Sequence, residues 1–450
     1  MNVAVAKIES GRALSEAFAE ARDRLPGIGQ VLDTRQLAFD SYARRGLPHR
    51  RIEDWKYTDL RVLMREVLPQ AAAPDQAALD AARRALTAQT IDGVRRLVLV
   101  NGYFVPQLSD LGDLEKGLAI GTLRELLERG AWPSLDRLIV TDVANPEAAQ
   151  DKPDPMIALN AAMMTDGVMI EVASGARLAR PLHIVHVACG HAPAAMFTRS
   201  ALRVGKGAVA TLIESFIAAE NAATYQVHDA TMMLVDADAR LDHIRMVEDS
   251  RDAFNISSAA VGLGAKAHFN TFSLTTGGGV SRHQMFIECA GEGSRIETSG
   301  VNLLNGRQHA DTTMFLDHAV PNCSSREIFR SVLDDRGHSV FQGRIIVRPK
   351  AQKTDAKMMV RALLLSDEAE ADNKPELEIF ADDVTCGHGA TTGSLDESLL
   401  FYLRARGLSE KEAQALLIQA FVGEAIEQIA SDALREHVIG AAQRWLAARG

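Results

Sequence analysis

The chain is expected to be mainly β, with a β-solenoid at its centre and helical regions on both sides. Two observations predict this class. From about 155 to 394 short β-rich runs follow one another with no long amphipathic helix between them. The same stretch repeats a degenerate unit, an apolar residue, a Gly or Asp turn with a small residue, then another apolar run. A loose period without intervening helices is what stacked β coils produce.

Residues 1–154 read as a mainly helical N-terminal domain. Leu14, Ala17, Phe18, Ala21 and Leu25 recur at helical spacing before Pro26-Gly27, and Gln36–Arg45 runs into Gly46 as a stop. One hairpin interrupts this region: Leu97-Val98-Leu99-Val100, the turn pair Asn101-Gly102, then Tyr103-Phe104-Val105.

The solenoid is expected over 155–394. Its strand-like runs include Val168–Val172, Leu182–Val187 and Arg344–Val347. The small residues of the repeated unit, at 176, 208, 239, 265 and 294, are separated by 32, 31, 26 and 29 positions. A β-sandwich with short hairpins is the competing architecture. Each coil buries its inward side chains only against the next, so both ends of a stack expose strand edges. The flanking helices are the expected covers.

Residues 395–450 form the C-terminal helical domain. Ser394-Leu395-Asp396-Glu397 and Ser409-Glu410-Lys411-Glu412 both fit a capping box, and Gly407 between them marks a helix stop. The second helix carries two apolar stripes. One is Ala413, Leu416, Leu417, Ala420 and Phe421; the other is Ile418, Val422, Ala425 and Ile429, which invites a partner, with burial within the chain's own helical bundle as the alternative.

Composition narrows the function. The 450 residues are 47% apolar and 24% charged, with a formal net charge of -10. A basic nucleic-acid or anionic-membrane surface is not expected. No apolar run approaches the roughly 20 residues of a membrane span. The first residues lack a basic segment followed by an apolar one, so a cytoplasmic protein is expected. Cys189, Cys289, Cys323 and Cys386 form no CxxC pair and suggest neither a zinc knuckle nor a disulfide framework. The first three are expected as small buried hydrophobes.

The stretch Thr385-Cys386-Gly387-His388-Gly389-Ala390-Thr391-Thr392-Gly393 carries the candidate chemistry. On a strand, residues i and i+2 share a face, so Cys386 and His388 present a thiol and an imidazole together. Both suit iron or zinc, but two ligands leave a shell incomplete. Other motifs fail. Gly205-Lys206-Gly207 lacks the spacing and the Lys-Ser/Thr of a phosphate loop. The adjacent pairs Asp334-Asp335 and Asp382-Asp383 would face opposite sides of a strand and could not flank one substrate bond, which disfavours a β-helix polysaccharide lyase or hydrolase. His283, His309, His318 and His338 are scattered, and the sequence does not place them on one face.

With these residues in view, the chain resembles the SufB/SufD family of iron–sulfur cluster assembly scaffolds. The resemblance rests on Arg51-Ile52-Glu53-Asp54-Trp55-Lys56-Tyr57-Thr58-Asp59-Leu60, on Gly300-Val301-Asn302-Leu303-Leu304, and on the block from Pro375 through Thr392 into Phe401–Gly407. It is densest from about 280 to 430. Where SufB-type chains typically read Glu-His-Glu-Ala-Thr-Thr, this one has Cys386-Gly387-His388-Gly389-Ala390-Thr391-Thr392, which favours the SufD side over a SufB-type primary cluster scaffold. The resemblance implies a right-handed parallel β-helix between helical domains and a non-enzymatic scaffold role. It also implies pairing with SufB through the β-helix, and docking of the ATPase SufC on the C-terminal helices. Cys386 and His388 would then lie near the SufB contact, where iron or a nascent cluster is handled transiently, with no cofactor held permanently. A homodimer is the expected alternative assembly when the paralogue is absent.

Overall fold

The computed structural model describes residues 3–131 and 154–449. Helices α1 (Val3–Ala21), α2 (Gln30–Arg45), α3 (Leu60–Leu63) and α4 (Gln76–Ala88) open the chain, and α5 (Leu123–Glu128) and α6 (Pro155–Met163) follow. Helices α7 (Glu397–Ala405), α8 (Glu410–Ile426) and α9 (Asp432–Ala448) close it. Between them lies a parallel β-solenoid of about eight turns.

One sheet stacks β1 (Arg95–Val100), β5 (Leu182–Ala188), β7 (Val209–Ala218), β9 (Arg240–Glu248), β11 (His268–Thr275), β13 (Arg295–Leu304), β15 (Ser324–Leu333), β17 (Asp355–Leu364) and β19 (Thr385–Gly393). The other stacks β4 (Val168–Val172), β6 (Ala194–Val204), β8 (Tyr225–Val235), β10 (Phe254–Leu263), β12 (Val280–Cys289), β14 (His309–His318), β16 (His338–Val347) and β18 (Glu370–Ile379). Two short strands, β2 (Tyr103–Phe104) and β3 (Leu118–Thr122), pair antiparallel with β1 and β4 at the first end.

One corner explains the repeat. Arg240 partners His268 and His268 partners Arg295, so successive coils advance 28 and 27 residues; Ser324 to Asp355 advances 31. At this corner of six successive coils a residue with positive φ precedes a small side chain. Gly207, Asp238, Lys266, Gly293, Asn322 and Lys353 have φ between 55° and 71°. They lead into Ala208, Ala239, Ala267, Ser294, Cys323 and Thr354, all buried. The left-handed turn reverses the chain, and only a small residue fits behind it. The structural member of the third coil is therefore Ala267, two positions beyond the expected 265.

The hairpin forms, with Leu99 opposite Phe104 and Asn101 and Gly102 both at positive φ, as a two-residue turn requires. It does not stay in the helical region. β1 runs parallel to β5 and is the first strand of the solenoid.

The flanking helices do not cap the ends of the stack, as had been expected; they cover its sides. α1, α2 and α6 share a core with Phe197, Phe254 and Ile256 of the second sheet. α4 packs on Val98, Val100, Val185 and Val187, while α8 and α9 pack on Ile244, Met246, Phe272, Leu274, Val301, Leu303 and Val332 of the first. The outward side chains of these strands are apolar, so the faces need covering more than the ends do. In α8 the capping box of Ser409 and Glu412 is present, whereas α7 is capped by Asp396 rather than Ser394. Among the described residues no helix is long and apolar enough to cross a membrane.

The packing of α8 corrects one expectation. Ile418, Val422, Ala425 and Ile429 do not look outward: all four are buried against the first sheet. Burying this stripe on the solenoid removes more apolar surface from water than exposing it for a partner. The outward apolar residues of this region are instead Leu399, Phe401 and Tyr402 on α7 and Leu416 on α8.

The Arg51–Leu60 segment is a staple between the N-terminal region and the solenoid. Trp55 is buried, donates from Nε1 to Asp154 at 3.0 Å, and lies under the Arg282 guanidinium at 3.8 Å. Arg282 also donates to the Asp54 carbonyl at 2.6 Å, and Thr58 hydrogen-bonds His309 at 3.0 Å and Asp311.

Candidate metal-handling edge of the solenoid

Cys386 and His388 lie on β19, the last strand of its sheet. Register sets which way they point. Ser325, Ala356 and Cys386 follow one another across β15, β17 and β19, as do Glu327, Met358 and His388. Ala356 and Met358 belong to the core between the sheets, so Cys386 and His388 continue inward-facing rows at the open end of the stack. Cys386 is half-buried against that core and His388 is exposed. Burial pushes the Cys386 thiol up from its ordinary value.

The surroundings of this pair are unusually bare. β18 has no fully buried residue and β19 is mostly exposed, whereas every residue of β5 is buried. Ile379 and the adjoining Phe380 are exposed at 41% and 59%. Three sets of His, Cys, Asp or Glu bring three ligand atoms together among the described residues, and neither Cys386 nor His388 is in any of them. Among the described residues the pair is thus a half-shell on a strand whose outer edge pairs with no other strand.

Behind it the interior is partly polar. Glu327 is fully buried, and among the described residues no well-formed hydrogen bond reaches either carboxylate oxygen. Burial pushes its carboxyl up to about 8, so it is protonated at neutral pH. Deeper in the stack His243 contacts Glu214 at 2.8 Å and Thr271 at 2.9 Å, and Arg245 donates to Ser257 at 2.7 Å.

The scattered histidines separate into distinct settings. His283 is buried beside Ser257 at 3.0 Å, and burial lowers its pKa. His309 and His338 meet at 3.1 Å, and His338 reaches Asp372 at 2.9 Å. His318 joins Cys289 and Cys323, which sequence spacing had treated as unrelated. The Cys289 sulfur lies 3.6 Å from His318 Nδ1, and Cys323 lies 3.3 Å from Ser294 Oγ. Hydrogen bonding with Cys289 holds Cys323 low, at about 4, while burial pushes Cys289 up. The carbonyls of Pro321 and Gly291 lie 3.5 and 3.6 Å from the Cys323 sulfur. The signal was available in principle: His318 follows Cys289 by 29 residues, one coil of the solenoid.

Comparison with known proteins agrees along the chain. Residues 186–421 match the family model described as SUF system FeS cluster assembly, SufBD core domain, and residues 12–184 match that of the SufBD protein N-terminal region. The iron–sulfur cluster assembly protein SufD of Escherichia coli is 32% identical over 399 residues, covering 88% of each chain. An iron–sulfur cluster assembly SufBD family protein of Synechocystis is 30% identical over 410 residues, 89% of this chain and 87% of its own.

Proposed function

The chain belongs to the SufB/SufD family of iron–sulfur cluster assembly proteins, and we propose that within it the chain is a non-catalytic, SufD-type scaffold subunit of a cytoplasmic complex. The observation that carries the reading is the bare last coil. Cys386 and His388 stand on a parallel strand at the end of its sheet, and among the described residues they join no cluster of three metal-ligating atoms, while Ile379 and Phe380 of the same last coil are exposed. A SufB paralogue adding its own strand there would satisfy the edge and supply the missing ligands. Iron or a nascent cluster is cargo in this scheme, held by one thiolate and one imidazole from this side. A shared, incomplete site suits a protein that must release what it builds.

The ATPase SufC would dock on the outward apolar side chains of the C-terminal helices, chiefly Phe401 and Tyr402, and not on the buried stripe of α8. In the absence of the paralogue, the same open edge would pair two copies of the chain.

The test is anaerobic reconstitution of the three-subunit complex, with iron and sulfide counted. Cys386→Ser and His388→Ala should each lower cluster content while the complex still assembles, since neither side chain is large enough to anchor an interface. Full iron and sulfide in the double variant would refute the role of the pair. Separately, Phe401→Asp should abolish SufC binding and leave the thermal transition of the isolated chain in place; unchanged SufC binding would refute that docking face.

A further inference from the structure

We propose that Cys289, His318 and Cys323 form a resident site for one borderline-soft divalent cation of the zinc class, inside the solenoid and distinct from the pair at its edge. The inference does not depend on the assembly role proposed above, and it departs from the expectation that no metal is held permanently.

Two neighbouring inward rows change chemistry at the same level of the stack. Along the end of the second sheet the in-register residues are Val235, Leu263, Cys289, His318 and Val347. At the adjoining corner they are Ala239, Ala267, Ser294, Cys323 and Thr354, each one residue before strands that pair Arg240, His268, Arg295, Ser324 and Asp355. An imidazole with no exposure, in a row otherwise made of Val, Leu, Cys and Val, needs a reason. It arrives together with two thiols, and the three ligand atoms lie within 4.8 Å of one another.

The spacing fits a metal. Zinc–sulfur bonds of about 2.3 Å and zinc–nitrogen bonds of about 2.0 Å put tetrahedral ligands roughly 3.3–3.8 Å apart. The Cys289 sulfur and His318 Nδ1 are 3.6 Å apart. The other ring nitrogen is already engaged: His318 Nε2 contacts Ser325 Oγ at 3.1 Å. An Nε2–H donated to Ser325 leaves the Nδ1 lone pair directed at the cluster, which is how a neighbouring group fixes a ligating tautomer. Two thiolates and one imidazole leave one position for a small ligand.

The test uses the full chain, refolded with and without zinc or cobalt(II), followed by metal analysis and absorption spectroscopy. The wild type should retain one equivalent of metal per chain after desalting and, with cobalt, show thiolate-to-metal charge-transfer bands. Cys323→Ser and His318→Gln should lose both signals. Ser325→Ala, which removes no ligand, should weaken binding by about tenfold or more. Cys189→Ser, which removes a thiol outside the cluster, should leave stoichiometry and bands unchanged. Iron in place of zinc in the chain as purified would support the site and identify its cation. A wild type without cobalt–thiolate bands would overturn the proposal whether or not the variants fold, as would bands that vanish in Cys189→Ser.

Discussion

The two ends of the solenoid are finished differently. At the first end β2 and β3 turn back antiparallel on β1 and β4, and Leu97, Val98, Leu99 and Val100 have no exposure. At the second end β18 and β19 run parallel like every coil before them; Phe380 is exposed, and among the described residues no strand pairs with the outer edge of β19. A solenoid can therefore blunt its edge with short reversed strands, as β2 and β3 do at the first end. The other edge keeps the parallel form and carries a thiol and an imidazole on its inward rows, and the proposed pairing with a SufB paralogue rests on that difference.

Substitutions along the stack should follow this contrast. The largest effect is expected at the closed end, where Leu97→Ala should lower the unfolding free energy by about 2–5 kcal/mol, measured by denaturant titration. A smaller effect is expected in the interior, where Glu327 has a raised carboxyl pKa. Its native form binds a proton that the unfolded chain releases near the ordinary carboxylate range, so stability should fall as pH rises from about 5 to about 8. Glu327→Gln should remove that slope and stabilise the chain by about 1–3 kcal/mol at the upper end of the range. A parallel pH profile in the variant would show that Glu327 is not the buried acid responsible. The smallest effect is expected at the open end: Phe380→Ala should change the isolated chain by less than about 0.5 kcal/mol yet weaken pairing with the paralogue. A loss as large as that of Leu97→Ala would mean that the second end is core.

The sequence revealed most where a local rule decides the structure. Asn101-Gly102 specified its turn, Ser409 and Glu412 their cap, and the Gly/Asp-small unit the corners at Ala208, Ala239 and Ser294. It misled where long-range packing decides. The stripe of Ile418 and Val422 has the same periodicity whether it meets a partner or its own sheet, and only the apolar outer face of Ile244, Phe272 and Val301 settles which. For the same reason β1 joined the solenoid, since a parallel partner 87 residues away leaves no local trace. At the candidate site the i, i+2 pairing was legible, but the joining of Cys289, His318 and Cys323 was not. Corner insertions vary each coil by a few residues, and that drift blurs the register that brings those three together.

In the proposed assembly another subunit completes the last coil. Amide hydrogen exchange, read separately for β2 and β19 in the isolated chain and after addition of SufB, addresses this most directly. The expected result is slow exchange in β2 under both conditions, and fast exchange along β19 that becomes slow only when SufB is present. If β19 is already as protected as β2 in the isolated monomer, or stays fast in the assembled complex, the open edge is not the interface and the half-site of Cys386 and His388 has no partner to complete it.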